Sequence, residues 1–268
     1  MKKTVLVLIT FALVIAVAGS GFWLVHYFID SREQKETYET LAEEFVLESM
    51  PTPESTTPAE NSSPTENSSE PAESVSLTTA TPRHDLAALA SENSDCVGWL
   101  TIPDTGIDYP VMHTPNDPEH YLRRDFYGNS ASGGTPFLDG RNLAEAENQN
   151  LILYGHNMMD GSMFKPLISY LEPSFRETHK EIYLELSEKQ YRYELVTVLE
   201  TNTQCSLYQY TDLSDPAEES DFRAALLKET ELEVVHQASG YLTLSTCNNG
   251  GGNSRVLVIA ALAGEVSQ

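Results

Sequence analysis

Between Thr4 and Ile29 the chain carries no Asp, Glu, Lys or Arg. As a helix, a run of that length crosses a bilayer hydrocarbon core of about 30 Å. The segment therefore withdraws from any water-soluble core, and whatever folds as a globule must do so in the rest. Lys2 and Lys3 ahead of it and acidic residues behind it orient the N-terminus inward and the remainder outward. Residues 16–18, Ala-Val-Ala, resemble a small-residue cleavage site, so a cleaved signal peptide is the competing reading. Against cleavage, Phe22-Trp23-Leu24-Val25-His26-Tyr27-Phe28 extends the apolar run and supplies an aromatic belt. Residues 1–30 are accordingly expected to be a cytoplasmic tip and an uncleaved single-pass anchor, with the membrane as a partner.

From residue 31 to residue 82 there is no plausible core. Ser31–Met50 reads as an exposed, acidic, partly helical stalk. Pro51–Pro82 is dominated by Pro, Glu, Ser, Thr and Asn, a composition that stays disordered and extended. Residues 31–82 are expected to be a spacer holding the next domain off the membrane. The net charge of −24 argues against a nucleic-acid partner. Much of that charge lies in the tail, so it selects no substrate. Residues 83–268 remain, enough for one domain with a good core. Cys96, Cys205 and Cys247 are the only cysteines, and an odd count in an exported chain leaves at least one thiol unpaired. Cys247 is the obvious odd one; Cys96 and Cys205 read as a bridge or as two buried thiols.

Within the domain, Val97–Ile102 and Ile107–Val111 read as strands joined by a turn over residues 103–106. Thr135–Asp139 and Asn150–Tyr154 follow as further strands. Glu181–Leu186 and Tyr191–Glu200 alternate across polar residues 187–190, which predicts a hairpin. Tyr241–Cys247 has the two-residue period of a half-buried strand, and Arg255–Leu262 reads as a buried one. Short helices are predicted at His84–Glu92, at Ser162–Leu171 with Pro166 in the first turn, and at Asp221–Glu229. Glu119–Phe126 reads as a short helix or an irregular lid. Many short strands with a few inserted helices point to a mainly β, closed barrel rather than a parallel α/β sheet.

If the last two strands pair antiparallel, the Gly-rich connection Asn248–Ser254 returns Arg255 to the level of Cys247. A thiol beside a guanidinium suits chemistry, because the cation favours thiolate and can hold an oxyanion. The thiol needs a proton partner. His156, at a Gly-flanked turn directly after the strand ending at Tyr154, is the candidate. Each residue has a plainer reading: Cys247 as a small buried hydrophobe, His156 as a structural hydrogen bonder, Arg255 as a surface ion-pair partner. Ser245 shares a face with Cys247; Asn157, Asn142 and Asp160 are weaker polar candidates. His113, His120, His179 and His236 read as surface or core histidines, and none has ligand-like spacing with a second His or Cys. Residues 250–252, Gly-Gly-Gly, lack the Lys-Ser/Thr of a phosphate loop. Neither a metal nor a cofactor is expected.

Taken in order, Ile107–Val111, Gly134–Asp139, Tyr154-Gly155-His156-Asn157-Met158, Gly161–Phe164, Thr243–Cys247 and Arg255 resemble the sortases, class B in particular. The likeness runs over roughly residues 84–264. It implies a closed eight-stranded sortase-type barrel with an N-terminal helical segment and a helix before the cysteine strand. It also implies a membrane-anchored cysteine transpeptidase of Gram-positive bacteria, with its catalytic domain outside the cell. Cys247 would then attack the Thr carbonyl of a C-terminal sorting motif, of Asn-Pro-x-Thr-Asn or Leu-Pro-x-Thr-Gly type, on a secreted protein. His156 would protonate the departing amine, Arg255 would hold the oxyanion, and a peptidoglycan amine, or alternatively a pilin Lys, would resolve the thioester. Ser245, Asn157 and Asn142 become the candidate substrate-binding residues. A papain-like hydrolase usually places Cys before His, whereas here His156 precedes Cys247. A non-enzymatic surface module would leave the Cys, His and Arg set without a purpose.

Overall fold

The computed structural model describes residues 2–47, 83–230, 232–248 and 252–266. The disordered spacer expected over Pro51–Pro82 and the middle of the Gly-rich connection before Arg255 lie outside the described residues. Helix α1 (Lys2–Glu44) is unbroken, and its N-terminal part is long and apolar enough to cross a membrane. Beyond the apolar run, Ser31, Gln34, Tyr38 and Leu41 are buried, and Tyr27, near the end of that run, is partly so. Steps of four and three keep these five residues on one helical stripe. The expected stalk is helical as far as Glu44, but it is not exposed on this side: the stripe packs on the domain and puts Tyr38 and Leu41 in its main core. Ser31 and Gln34 disguise the stripe, because they are polar residues buried through hydrogen bonds rather than apolar contact.

Strands β1 (Val46–Leu47) and β2 (Arg83–His84) pair antiparallel and tie the end of α1 to the start of the domain. Helix α2 (Leu86–Glu92) follows, with the Asp85 carboxylate accepting from the Ala88 N–H as an N-cap. Eight strands then make the barrel: β3 (Cys96–Ile102), β4 (Ile107–Met112), β5 (Phe137–Leu138), β6 (Asn150–Tyr154), β7 (Glu181–Leu186), β8 (Lys189–Asn202), β9 (Tyr241–Cys247) and β10 (Ser254–Glu265). They close in the order β10-β8-β7-β3-β4-β5-β6-β9. The pairs β4–β5 and β6–β9 are parallel and the others antiparallel. The β7–β8 hairpin is tighter than expected: only Ser187 and Glu188 turn, both at positive φ (49° and 65°), the handedness that matches strand twist.

Helices α3 (Pro173–Thr178) and α4 (Pro216–Glu229) are the other α-helices among the described residues, and 3₁₀ turns lie at His120–Arg123 and Ser206–Gln209. The helix expected over Ser162–Leu171 is a 3₁₀ turn at Lys165–Leu171 with Pro166 in its first turn. α4 begins at Pro216 rather than at Asp221, because Asp215 caps the Ala217 N–H and Pro216 fits the first turn. Phe222 and Leu226 of α4 pack on Tyr241, Leu257 and Ile259, on the outer faces of β9 and β10. Leu242, Leu244, Val258 and Ala260 face inward to the main core. β9 is thus buried on both faces rather than half-buried, and its outward polar residues are satisfied locally; the Thr243 hydroxyl donates to Asn150 Oδ1 at 2.7 Å.

Candidate active site

Strands β6 and β9 run parallel with Tyr154 beside Ser245, so both end at the same rim of the barrel. Hydrogen bonds extend that pairing past the strands. The Gly155 N–H donates to Ser245 O (3.2 Å), Thr246 Oγ1 donates to Gly155 O (2.8 Å), and Asn157 Nδ2 donates to Cys247 O (2.8 Å). Across the next ladder Arg255 pairs directly with Cys247, as the sequence predicts. Cys247, His156 and Arg255 therefore line one cleft of about 430 Å³, together with Leu122, Phe137, Tyr154, Tyr208 and Ser245 among others.

The His156 loop closes on itself, with the Phe164 N–H donating to His156 O at 2.8 Å. Gly155 is required there by contact, because a Cβ would fall 2.5 Å from the buried Phe164 ring. His156 Nε2 lies 2.8 Å from the Leu122 carbonyl oxygen. A carbonyl only accepts, so Nε2 carries the proton and Nδ1 of the neutral ring holds the lone pair. Burial lowers the imidazole pKa below its usual value; the hydrogen bond to Leu122 opposes this, and the charge of Arg123 adds to it. The resting ring at neutral pH is the uncharged one.

Arg255 Nη1 donates to the carbonyls of Ser254 (2.9 Å) and Gly252 (3.2 Å). A guanidinium has five N–H donors, so these bonds fix its orientation without exhausting it. The Ser245 hydroxyl lies 2.7 Å from that of Tyr208. Tyr208 stands in a 3₁₀ turn at Ser206–Gln209, after β8, and carries no sequence signal for a site. Asp139, also in the cleft, accepts from the Tyr154 hydroxyl and from Arg141, each at 2.9 Å.

Two expected substrate-binding residues stand elsewhere. Asn142 is buried away from the cleft, with Nδ2 donating to Asn150 O (2.9 Å) and Oδ1 accepting from the Ile152 N–H (3.0 Å). It braces a loop against β6 because those main-chain groups need partners. Asn157 supports Cys247 through the backbone instead of lining the cleft. Cys96 and Cys205 are buried free thiols, and burial pushes the Cys96 thiol up to about 12.

The sequence model described as Sortase domain matches residues 100–263 of this chain. Sortase B of Listeria monocytogenes is 38% identical over 172 residues, which cover 62% of this chain and 68% of that protein. Sortase B of Staphylococcus aureus is 26% identical, with 97% of each chain covered. Among solved structures, a Staphylococcus aureus sortase B–substrate complex superposes with a TM-score of 0.60 at 29% identity, covering 68% of this chain and 85% of that one. Sortase B from B. anthracis in complex with AAEK1 does so with a TM-score of 0.64 at 26% identity, covering 88% and 98%. The family match spans most of the barrel that carries the cleft, and the chain belongs to the sortase family as a transpeptidase of the sortase B type.

Proposed function

We propose that α1 holds this transpeptidase in the cell membrane, N-terminus inward, and that the barrel joins secreted proteins to cell-wall peptidoglycan. The substrate is a C-terminal sorting motif of Asn-Pro-x-Thr-Asn or Leu-Pro-x-Thr-Gly type. The observation that carries this reading is the ladder pairing of Arg255 with Cys247 in a cleft that also receives His156.

Cys247 Sγ attacks the carbonyl carbon of the motif Thr as its proton passes to His156. Nε2–H is committed to Leu122, so Nδ1 is the exchanging atom. Arg255 meets the charge that develops on the carbonyl oxygen; it stays ionised, and its planar fork matches an oxyanion. The tetrahedral centre collapses and expels the amine of the next residue, which takes the proton from the imidazolium. Thr is left as a thioester on Cys247. An acceptor amine then attacks the thioester, gives a proton to His156 and forms the new amide, and Cys247 returns to the thiol.

The test uses the full chain in detergent micelles with quenched peptides carrying either motif, read by intact mass. An adduct ending at Thr is expected on the wild type and none on Cys247→Ala. With the adduct in hand, a peptidoglycan-derived amine should give a new amide product faster than a Lys-bearing peptide. A folded protein whose Cys247 alkylates readily but takes up no acyl group from either peptide would sink the proposal.

A further inference from the structure

The hydrogen bond from His156 to the Leu122 carbonyl decides which ring nitrogen exchanges protons. Whatever holds its two halves in place therefore positions the reaction, and α1 grips both. On the His156 side, the Asp160 carboxylate of the same loop accepts a short hydrogen bond from Ser31 Oγ, and the Met159 N–H donates to the Tyr27 hydroxyl at 3.3 Å. On the Leu122 side, Gln34 Nε2 donates to Gly134 O at 2.6 Å while its Oε1 accepts from the Gly133 N–H at 3.2 Å. The Tyr38 hydroxyl donates to the same Gly134 carbonyl at 3.0 Å. Gly134, at a φ of 60°, is pressed so closely on the 121–122 backbone that a Cβ would fall on the Leu122 carbonyl oxygen. The next residue's N–H, Thr135, donates to Tyr121 O at 3.0 Å.

We propose that residues 27–38 of α1 are a positioning element of the active site, clamping the His156 loop and the Leu122 turn from one rigid helix and so holding the imidazole in its Nε2–H form. The proposal rests on the reading of His156 above. The division of labour along the stripe supports it. Leu41 supplies apolar packing, whereas Tyr27, Ser31, Gln34 and Tyr38 spend their polar groups on these two loops. Burial pushes the Asp160 carboxyl up, but hydrogen bonds from Ser31 and Ser162 outweigh it and keep Asp160 an ionised acceptor. The gripping segment begins in the last residues of the apolar run of the same helix, so an anchored chain sets its proton-transfer loop from its own anchor.

The test uses the full chain in micelles. His156→Ala comes first: retained peptide cleavage would defeat the reading of His156 itself, whatever α1 does. Two paired variants then loosen one arm each, Tyr27→Phe with Ser31→Ala, and Gln34→Ala with Tyr38→Phe. Each should lower kcat by about tenfold to a hundredfold, the scale of a misplaced catalytic group, with KM nearly unchanged. The acid limb of kcat/KM should move to higher pH as water reaches the ring and its pKa returns toward about 6.5. Arg123 beside the ring, and Glu119, Asp139, Cys247 and Arg255 lining the same cleft, are unaltered in both variants. Ser31→Thr, which keeps the hydroxyl, should preserve both kcat and the pH limb. A lower Tm with kcat and the acid limb at wild-type values would reduce α1 to a strut and overturn the proposal, as would a rise in KM alone. If the Gln34 and Tyr38 pair fails to fold, the Tyr27 and Ser31 pair, at the less buried end of the stripe, decides the matter.

Discussion

Around Cys247 and Arg255 the main chain sets the geometry, through an antiparallel ladder running from the Arg255–Cys247 pair to the Ala261–Tyr241 pair. Around His156 side chains and turns set it: the loop over residues 156–164 is closed by the Phe164 N–H, pinned to β9 by Asn157 and held from α1 through Asp160. A one-residue slip in a ladder turns every side chain to the opposite face, so the thiol–guanidinium half has no small errors available to it. A loop held by separate hydrogen bonds of about 1 kcal/mol each shifts in small steps. The half that handles the carbonyl is stiff. The half that handles the proton is adjustable, and residues far along the chain adjust it.

Breaking the stiff half should cost most. Cys247→Ala should abolish acyl transfer, as intact mass would show. Arg255→Ala should lower kcat/KM by about 10²–10³-fold, the usual size for one lost oxyanion donor. Arg255→Lys keeps the charge and loses the planar fork, so it should recover only part of that loss. Equal activities for Lys and Arg would mean that charge alone matters, and the ladder geometry would lose its significance. Gly155→Ala comes next, at the joint between the halves. Its methyl would meet the Phe164 ring, and overpacking of that kind costs about 1–3 kcal/mol, measurable by denaturation of the full chain. Activity should fall with it, while iodoacetamide still labels Cys247 ahead of the buried Cys96 and Cys205. Wild-type stability in that variant would show that the loop is not seated on Phe164 as described.

The same contrast explains what the sequence reveals unaided. Tyr241–Cys247 and Arg255–Leu262 each carry their own periodicity, and the connection between them is too short to allow many registers, so the thiol–guanidinium pair is legible from local pattern. His156 is legible only as part of a motif. Its partner Leu122 lies 34 positions upstream, in a 3₁₀ turn at His120–Arg123 with no distinctive spacing. The α1 stripe is harder still, since Ser31 and Gln34 look like solvent-facing residues until the Gly133 and Gly134 backbone is placed against them. Asn142 misleads for the converse reason. A polar residue between two strands looks available for substrate, and only the fold shows its amide occupied by the main chain of β6.

The smallest expected effect tests where the stiff half ends. Ser245 lies on β9, whereas Tyr208 belongs to the 3₁₀ turn after β8, and their hydroxyls meet at 2.7 Å in the cleft wall. Burial raises the Tyr208 pKa, although the Ser245 hydrogen bond and the charge of Arg255 pull it down. The phenol therefore stays protonated and able to donate. Tyr208→Phe leaves the buried Ser245 hydroxyl without this partner and should cost about 1 kcal/mol of stability. Ser245→Ala should cost a similar amount. If the two groups serve only each other, the double variant should recover most of the lost stability and keep wild-type activity, because replacing both partners removes the unsatisfied group as well as the bond. If either hydroxyl also contacts the bound motif, the double variant should recover its stability yet keep a several-fold loss in kcat/KM with the peptide substrates. Recovery of both quantities would confine substrate handling to Cys247, His156 and Arg255. Recovery of stability alone would extend the stiff half to Ser245 and add a recognition surface beside the oxyanion donor.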